Sequence, residues 1–379
     1  MKITAVDAVP FQAKEASPAR SWLSESRIAN PMSVYARYAE KRSSWTARFA
    51  NVLVRISTDD GVEGIGTAIG GRAAAAIVTD HLASLLIGED PTDIELLWDE
   101  MWRASLPYGR RGLPVMAISG VDHALWDLIG KRWGVPVYRL LGGACREDIA
   151  TYLTTNDRED WASLEGTGIK IAMPYGPADG KSGLAANVAL VSECRRCIGP
   201  EAELMLDCFM AWDVEYTRRM LAAIADYDVR WVEEPLPPDD YRGYERLGNA
   251  DRPVAVATGE HEYTRFGFVT LIGTGGVDIL QPDVAWVGGI SEARRICQLA
   301  SAYHLPVIPH AGGLQAGALH LMKSQPNTPL AEVARTRDRG SALIKPPVAG
   351  TPEPVGGRIR PSELPGLGLS VTDNLVELR

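Results

Sequence analysis

The sequence predicts an α/β fold, an eight-stranded (β/α) barrel joined to a smaller α+β cap, and three observations carry that prediction. From about residue 148, short apolar runs alternate with amphipathic stretches at the spacing of βα units, which implies a parallel sheet. Several of those runs are continuously apolar, as strands covered on both faces are. The length of 379 residues leaves room for a barrel of more than about 200 residues and a second, smaller unit.

The runs are DIATYL (148–153), GIKIAM (168–173), ELMLDC (203–208), VRWVEE (229–234), VAVATGE (254–260), VDILQPD (277–283), LPVIPH (305–310) and LAEVA (330–334). Eight of them predict a closed barrel, and the intervening VEYTRRMLAAIADY and ISEARRICQLASAY read as helices. Residues 1–135 have another texture, with strand-like VLVRISTDDGVEGIGTAI and helical patterns around 74–87 and 116–133, and are expected to form the α+β capping domain. Residues 136–345 then form the barrel, and the Pro/Gly-rich tail 346–379 is expected to pack irregularly against the amino-terminal domain and complete the cap.

Composition narrows the function. The formal charge of −9, with no basic run, argues against nucleic acid as a partner, and no stretch has the roughly 18 apolar residues of a membrane span. The amino end lacks the features of a secretory signal, so a cytoplasmic location is expected. Five scattered cysteines argue against a disulfide framework; Cys194 and Cys197 form CRRC inside a helical run, with no second pair to complete a zinc site.

Asp207, Glu233, Glu260, Asp283, His310 and Glu332 each fall at or beside the carboxyl end of a run, at intervals of 26, 27, 23, 27 and 22 residues, by subtraction of successive positions. One βα unit takes about that length, so these side chains are expected to converge at the rim where barrel enzymes act. A lone charged residue at a strand end is most simply a solvated group, but six in succession form a pattern. Asp207, Glu233 and Glu260 offer the hard oxygen ligands that suit Mg²⁺. Of the pair Glu233 and Glu234, alternation points only one into the rim, leaving the other to pair with a cation. Asp283 and His310 lie on neighbouring strands, where a carboxylate can orient an imidazole as a general base. His261, beside Glu260, is a candidate substrate contact, as are Trp286 and, in the Arg-rich segment 12–50, Arg20, Arg42 and Arg48. His81, His123, His304 and His320 read as structural.

Taken together, GVDHALWDLIGKRWGVPVYRLLGG (120–143), MLDC, WVEEP, TGEH, QPDVAWVGGISEA and IPHAGG resemble the enolase superfamily, mandelate racemase subgroup. KIAMPYGPADG (170–180), EEPLPPDDYRGYERL and NTPLAE resemble its L-rhamnonate dehydratase family. The resemblance implies a modified (β/α)₈ barrel under an α+β cap, Mg²⁺ on Asp207, Glu233 and Glu260, an acid/base dyad of Asp283 and His310, and a homo-oligomer, octameric or otherwise. It implies Lys170 and a protonated Glu332 beside the developing enolate. Lys170 matches the first lysine of the two-lysine strand motif of racemases, and Ala172 stands at the second.

The expected activity is Mg²⁺-dependent dehydration of an aldonic acid: abstraction of the C2 proton, then loss of the C3 hydroxyl to give a 2-keto-3-deoxy acid. L-rhamnonate is the first candidate substrate, with L-lyxonate and L-galactonate as alternatives. A histidine expected before the IANPMS segment is missing from RSWLSESRIANPMS, and GRRG (109–112) is more charged than the family pattern. Racemisation needs two opposed bases, and Ala172 removes one. A non-catalytic barrel would have lost a ligand or the dyad, and a metal hydrolase would want nitrogen ligands or two metals.

Overall fold

The computed structural model describes residues 1–15, 26–45, 49–334 and 346–378. Its amino-terminal part is an antiparallel sheet of β1 (Ile3–Ala13), β2 (Asn51–Thr58) and β3 (Glu63–Ile69), extended by β14 (Leu375–Glu377), which pairs with β1. The helix Leu113–Trp133 lies on this sheet and is buried along most of its length. Its close approach depends on glycine: a Cβ at Gly64 would sit 2.1 Å from the Ala124 carbonyl, and one at Gly66 2.2 Å from that of Gly120. Gly134, at φ 70°, ends the helix with a left-handed cap.

The second sheet is parallel and curls in the order β10 (Leu330–Ala334), β4 (Ile149–Thr154), β5 (Gly168–Ala172), β6 (Glu203–Asp207), β7 (Val229–Glu233), β8 (Ala255–Thr258), β9 (Ile279–Leu280). Tyr152, Met205, Trp231, Ala257, Ile279, Ile308 and Leu330 fill its interior, while Leu153, Ile169, Ile171, Leu204, Leu206 and Val232 pack outward with helical side chains such as Val191 and Met220. Both faces are therefore apolar, which explains the continuously hydrophobic runs.

The eighth expected strand is the exception. Residues 305–310 contribute only a parallel bridge between Leu280 and Val307, with Ile308 N–H donating to the Leu280 carbonyl. Pro306 and Pro309 have no N–H to give a ladder, so the chain passes this position without becoming a regular strand. The sheet path thus holds seven parallel strands, a modified barrel.

The tail does more than extend the cap sheet. β12 (Arg358–Ile359) pairs antiparallel with the start of β4, so the tail also reaches the barrel, at the end opposite the rim. Helix Leu113–Trp133 joins the units: Asp122 accepts from Ser291 N–H at 3.0 Å and Ser119 Oγ accepts from Gly288 N–H at 2.9 Å, while Trp98 donates to the Gly288 carbonyl at 2.7 Å. These contacts fix the loop that follows Asp283. Among the described residues, no helix is long and apolar enough to cross a membrane, and the five cysteines are free.

Candidate active site

Strand alternation selects the inward residues. Met205 and Trp231 point into the barrel, so Asp207 and Glu233, two residues on, do likewise, and their Cα atoms are register partners. Lys170 and Glu332 follow the same parity on β5 and β10. Gly259, at φ 127°, ends β8 before Glu260, and Pro282 separates β9 from Asp283, so these two carboxylates stand on the loops just beyond their strands. Non-glycine residues in the left-handed region cluster here: Phe209 (φ 45°), Met210 (60°), Glu234 (40°) and Ala311 (49°) each closely follow a rim residue. Such backbone costs about 1–3 kcal/mol per residue and persists only where surrounding contacts hold it.

Lys170 is buried at the centre of one half. Its Nζ lies 2.5 Å from Glu233 Oε1 and 2.9 Å from Glu332 Oε1. Burial opposes its charge, but the two carboxylates more than offset that and hold the ammonium well above the ordinary lysine range. Glu332 also accepts from Thr154 Oγ1 at 2.5 Å and from Ala311 N–H at 2.8 Å. Burial pushes its pKa up, while Lys170, His310 and these bonds pull it further down, to about 2. In this site without substrate, the lysine and the two donors on its oxygens favour the carboxylate form of Glu332, whereas the family resemblance implies a protonated Glu332 beside a developing enolate.

The other half centres on His310. Its Nδ1 is 2.8 Å from Asp283 Oδ2, and its Nε2 is 3.4 Å from Glu260 Oε1. Asp283 is itself oriented, because Oδ1 accepts from Ala285 N–H at 2.8 Å and Gln315 Nε2 at 3.1 Å. Burial disfavours the imidazolium, yet Glu260, the bond to Asp283 and Glu332 together raise the pKa of His310 well above its usual value.

Glu234 leaves the strand alternation and binds His261, accepting from its backbone N–H at 3.1 Å and lying 2.8 Å from Nδ1. Burial works against the charge of His261, but Glu234 and Glu260 raise its pKa to about 9. These two carboxylates favour the charged form of His261, whose ring also contacts Phe209 at 5.7 Å and Trp286 at 5.4 Å. The Trp286 ring also lies 5.7 Å from that of His310. The guanidinium carbon of Arg42 stands 3.9 Å over the Phe209 ring, bordering this wall. Arg20 and Arg48 lie outside the described residues.

Sequence reasoning missed Gln281, Trp231 and Gln315. Gln281 Nε2 and Trp231 Nε1 hold Glu233 Oε2 at 2.6 and 3.3 Å. The inward parity of Trp231 was the available signal for one of them. In the charged GRRG segment, Arg111 pairs with Asp239 at 2.6 Å and donates to Tyr241 Oη at 2.5 Å.

A capped parallel barrel with titratable side chains gathered at one rim defines an enzyme of the barrel class. Residues 161–375 match the family described as enolase C-terminal domain-like, and residues 40–142 match the mandelate racemase / muconate lactonizing enzyme N-terminal domain. The chain belongs to the enolase superfamily, mandelate racemase subgroup. An L-rhamnonate dehydratase from Saccharopolyspora erythraea is 40% identical over 363 residues, covering 94% of this chain and 92% of that protein. The crystal structure of rhamnonate dehydratase from Gibberella zeae complexed with Mg superposes with a TM-score of 0.92 at 36% identity, covering 99% of this chain and 96% of that one.

Proposed function

We propose that the protein is a Mg²⁺-dependent hydro-lyase that dehydrates an aldonic acid, L-rhamnonate first, to its 2-keto-3-deoxy acid. The donor set fits the cation. Six carboxylates surround the site, and Glu234 and Glu332 are matched by His261 and Lys170, which keep both pKa values low. In Asp207, Glu233 and Glu260 burial and neighbouring carboxylates raise the pKa, to about 6 in Asp207 and about 7 in Glu233. Six carboxylates thus share three basic side chains, Lys170, His261 and His310, and the negative charge left over falls on a cluster that includes these three hard oxygen donors, which suits Mg²⁺. Among the described residues, the group whose ligand atoms all lie within 4.8 Å of one another is Glu234, Glu260 and His261, and neither Asp207 nor Glu233 belongs to it. That set is the poorer candidate, because His261 already carries the compensating charge. Bound Mg²⁺ supplies Lewis-acid stabilisation to a carboxylate that is losing its α-proton.

In this reading, Asp207, Glu233 and Glu260 would hold the metal. Lys170 places a fixed positive charge near the substrate carboxylate, with Glu332 as its anchor. Glu260 is the main charge that raises the pKa of His310, and with that charge engaged by the metal the neutral Nε2 would take the C2 proton, Asp283 would keep the other hydrogen on Nδ1, and the protonated imidazole would return a proton to the departing C3 hydroxyl. His261, Trp286, Arg42, Arg20 and Arg48 are the proposed substrate contacts. The observation that carries the reading is the oriented Asp283–His310 pair facing a site in which Ala172, buried on the β5 wall, replaces a second base. The test is incubation of purified protein and Mg²⁺ with L-rhamnonate, L-lyxonate, L-galactonate and other aldonic and aldaric acids, detecting the 2-keto product. Failure to convert any of them would sink the proposal.

With this reading go a cytoplasmic location and a homo-oligomeric assembly, both supported by the family likeness alone. We also take the chain to divide at 135/136 and 345/346, a division supported by the pairing of β14 with β1.

A further inference from the structure

The arginines of segment 26–45 divide by what they touch. Arg37 stacks over Tyr38 within the segment, 4.6 Å from its centroid. Arg27 instead crosses to the barrel, where its Nη2 donates to Asp179 Oδ1 at 2.5 Å and its guanidinium carbon lies 4.9 Å over the ring of Tyr175. Its Nη1 forms an ion pair with Glu40 of its own segment. The Arg27 and Asp179 side chains are only 23% and 20% exposed, so this pair retains more strength than the one to Glu40, which is 75% exposed.

Beside Arg27, Ala29 N–H donates to the Met173 carbonyl at 2.8 Å, just beyond β5. Asn30 then accepts from Met32 N–H and caps the turn Pro31–Val34. At the far end of the segment Arg42 lies over Phe209, whose ring meets His261. One end is tied to the barrel loop after β5, and the other end borders the wall of the site. Ile28, Ala29, Asn30 and Ala39 are its buried residues, a small apolar contribution, so the polar tie weighs heavily in holding it.

We propose that Arg27 is a positioning residue for substrate recognition: by joining Glu40 to Asp179 it holds segment 26–45 on the barrel and keeps Arg42 at the mouth of the site. The inference rests on the reading of that site as one for acid sugars. Arginine suits the task because its planar fork satisfies two carboxylates while its face stacks on an aromatic ring, which an ammonium does less well. Loss of the tie acts on substrate affinity more than on turnover, because His310, Asp283 and Lys170 are held by barrel contacts that do not include the segment.

The experiment uses the full chain with Mg²⁺ and the variants Arg27→Gln and Arg27→Lys. On protein without substrate, amide exchange at Ala29 should quicken by about tenfold in Arg27→Gln and be partly restored in Arg27→Lys. With L-rhamnonate as probe, KM should rise about tenfold in Arg27→Gln with kcat nearly unchanged, and again less in Arg27→Lys. Unchanged Ala29 exchange in Arg27→Gln overturns the proposal, as does a fall in kcat without a rise in KM. The exchange measurement needs no substrate, so it decides on the tie even where the dehydratase reading itself fails.

Discussion

Asp283→Asn removes one charge and one acceptor from the site while preserving shape, and the structure dictates which way the new amide must face. Oδ1 of Asp283 accepts from the backbone N–H of Ala285 at 2.8 Å and from Gln315 Nε2 at 3.1 Å. The Gln315 amide could rotate, but the Ala285 N–H can only donate, so the asparagine oxygen must stay there and its NH₂ must face His310 Nδ1. Nδ1 then has to accept, and the neutral ring carries its hydrogen on Nε2, the nitrogen needed as the base. The expected loss is about 10⁴-fold in kcat, the effect of the same exchange in the serine-protease triad. At 1.36 kcal/mol per decade that is about 5.4 kcal/mol of barrel-site transition-state stabilisation. The assay is steady-state turnover of L-rhamnonate with Mg²⁺, paired with ¹⁵N NMR of the His310 ring to read its tautomer. A variant within tenfold of the parent kcat, or one that keeps hydrogen on Nδ1, would refute the orienting role of Asp283.

Asp207→Asn and Glu260→Gln should abolish Mg²⁺-dependent turnover and weaken Mg²⁺ binding by calorimetry while circular dichroism stays native; undiminished activity in chelator would overturn the metal assignment. In deuterium oxide the substrate should be consumed without accumulating its C2 epimer, since Ala172 cannot return a proton from the opposite face. NMR of the substrate C2 and product C3 signals checks this, and epimer forming as fast as product would reveal a second base, with Lys170 the first suspect. Buried His320 accepts from Tyr138 N–H at 3.3 Å, and burial lowers its pKa to about 4, with Glu363 pulling up and Lys323 down. A histidine with a folded pKa below its unfolded value binds fewer protons when folded, so its contribution is intact above pH 6.5 and lost as pH falls toward 4. The span amounts to about 3 kcal/mol at 1.36 kcal/mol per unit, and His320→Gln should flatten the acid limb of urea-unfolding stability between pH 6.5 and 4 relative to the parent. Parallel limbs would show that His320 is not a source of the acid sensitivity.

The barrel was legible because burial on both faces leaves a one-dimensional trace, apolar runs at βα spacing. The six rim residues were legible for the same reason, since spacing alone brings strand ends together. The eighth strand was misjudged because LPVIPH has the right hydrophobicity, while the missing donors of Pro306 and Pro309 act only when a ladder is to be formed. The charge state of Glu332 was out of reach because it depends on Lys170, Thr154 and Ala311, three residues from separate parts of the chain. The arginines of segment 26–45 show the same limit. Composition marked the segment as rich in arginine, but that Arg27 reaches across to Asp179 while Arg42 lies over Phe209 is decided by tertiary contacts alone.

The adjacent glutamates at the end of β7 show how one strand end can serve two opposite electrostatic ends. Glu233 continues the strand alternation and turns into the barrel, where Lys170 holds one oxygen and Gln281 and Trp231 the other. At Glu234 the backbone enters the left-handed region, and the next carboxylate turns away from the interior to meet His261 on the neighbouring loop. Burial of two adjacent anions without this divergence would leave both raised in pKa by mutual repulsion. With it, despite burial, His261 lowers the pKa of Glu234, while burial, Asp207 and Glu332 keep that of Glu233 raised against the pull of Lys170. The strained φ at Glu234 therefore separates a carboxylate already matched by a protein cation from one that still lacks full compensation. That separation is what leaves the remaining negative charge on the Asp207, Glu233 and Glu260 face, where a divalent ion has the most to offset.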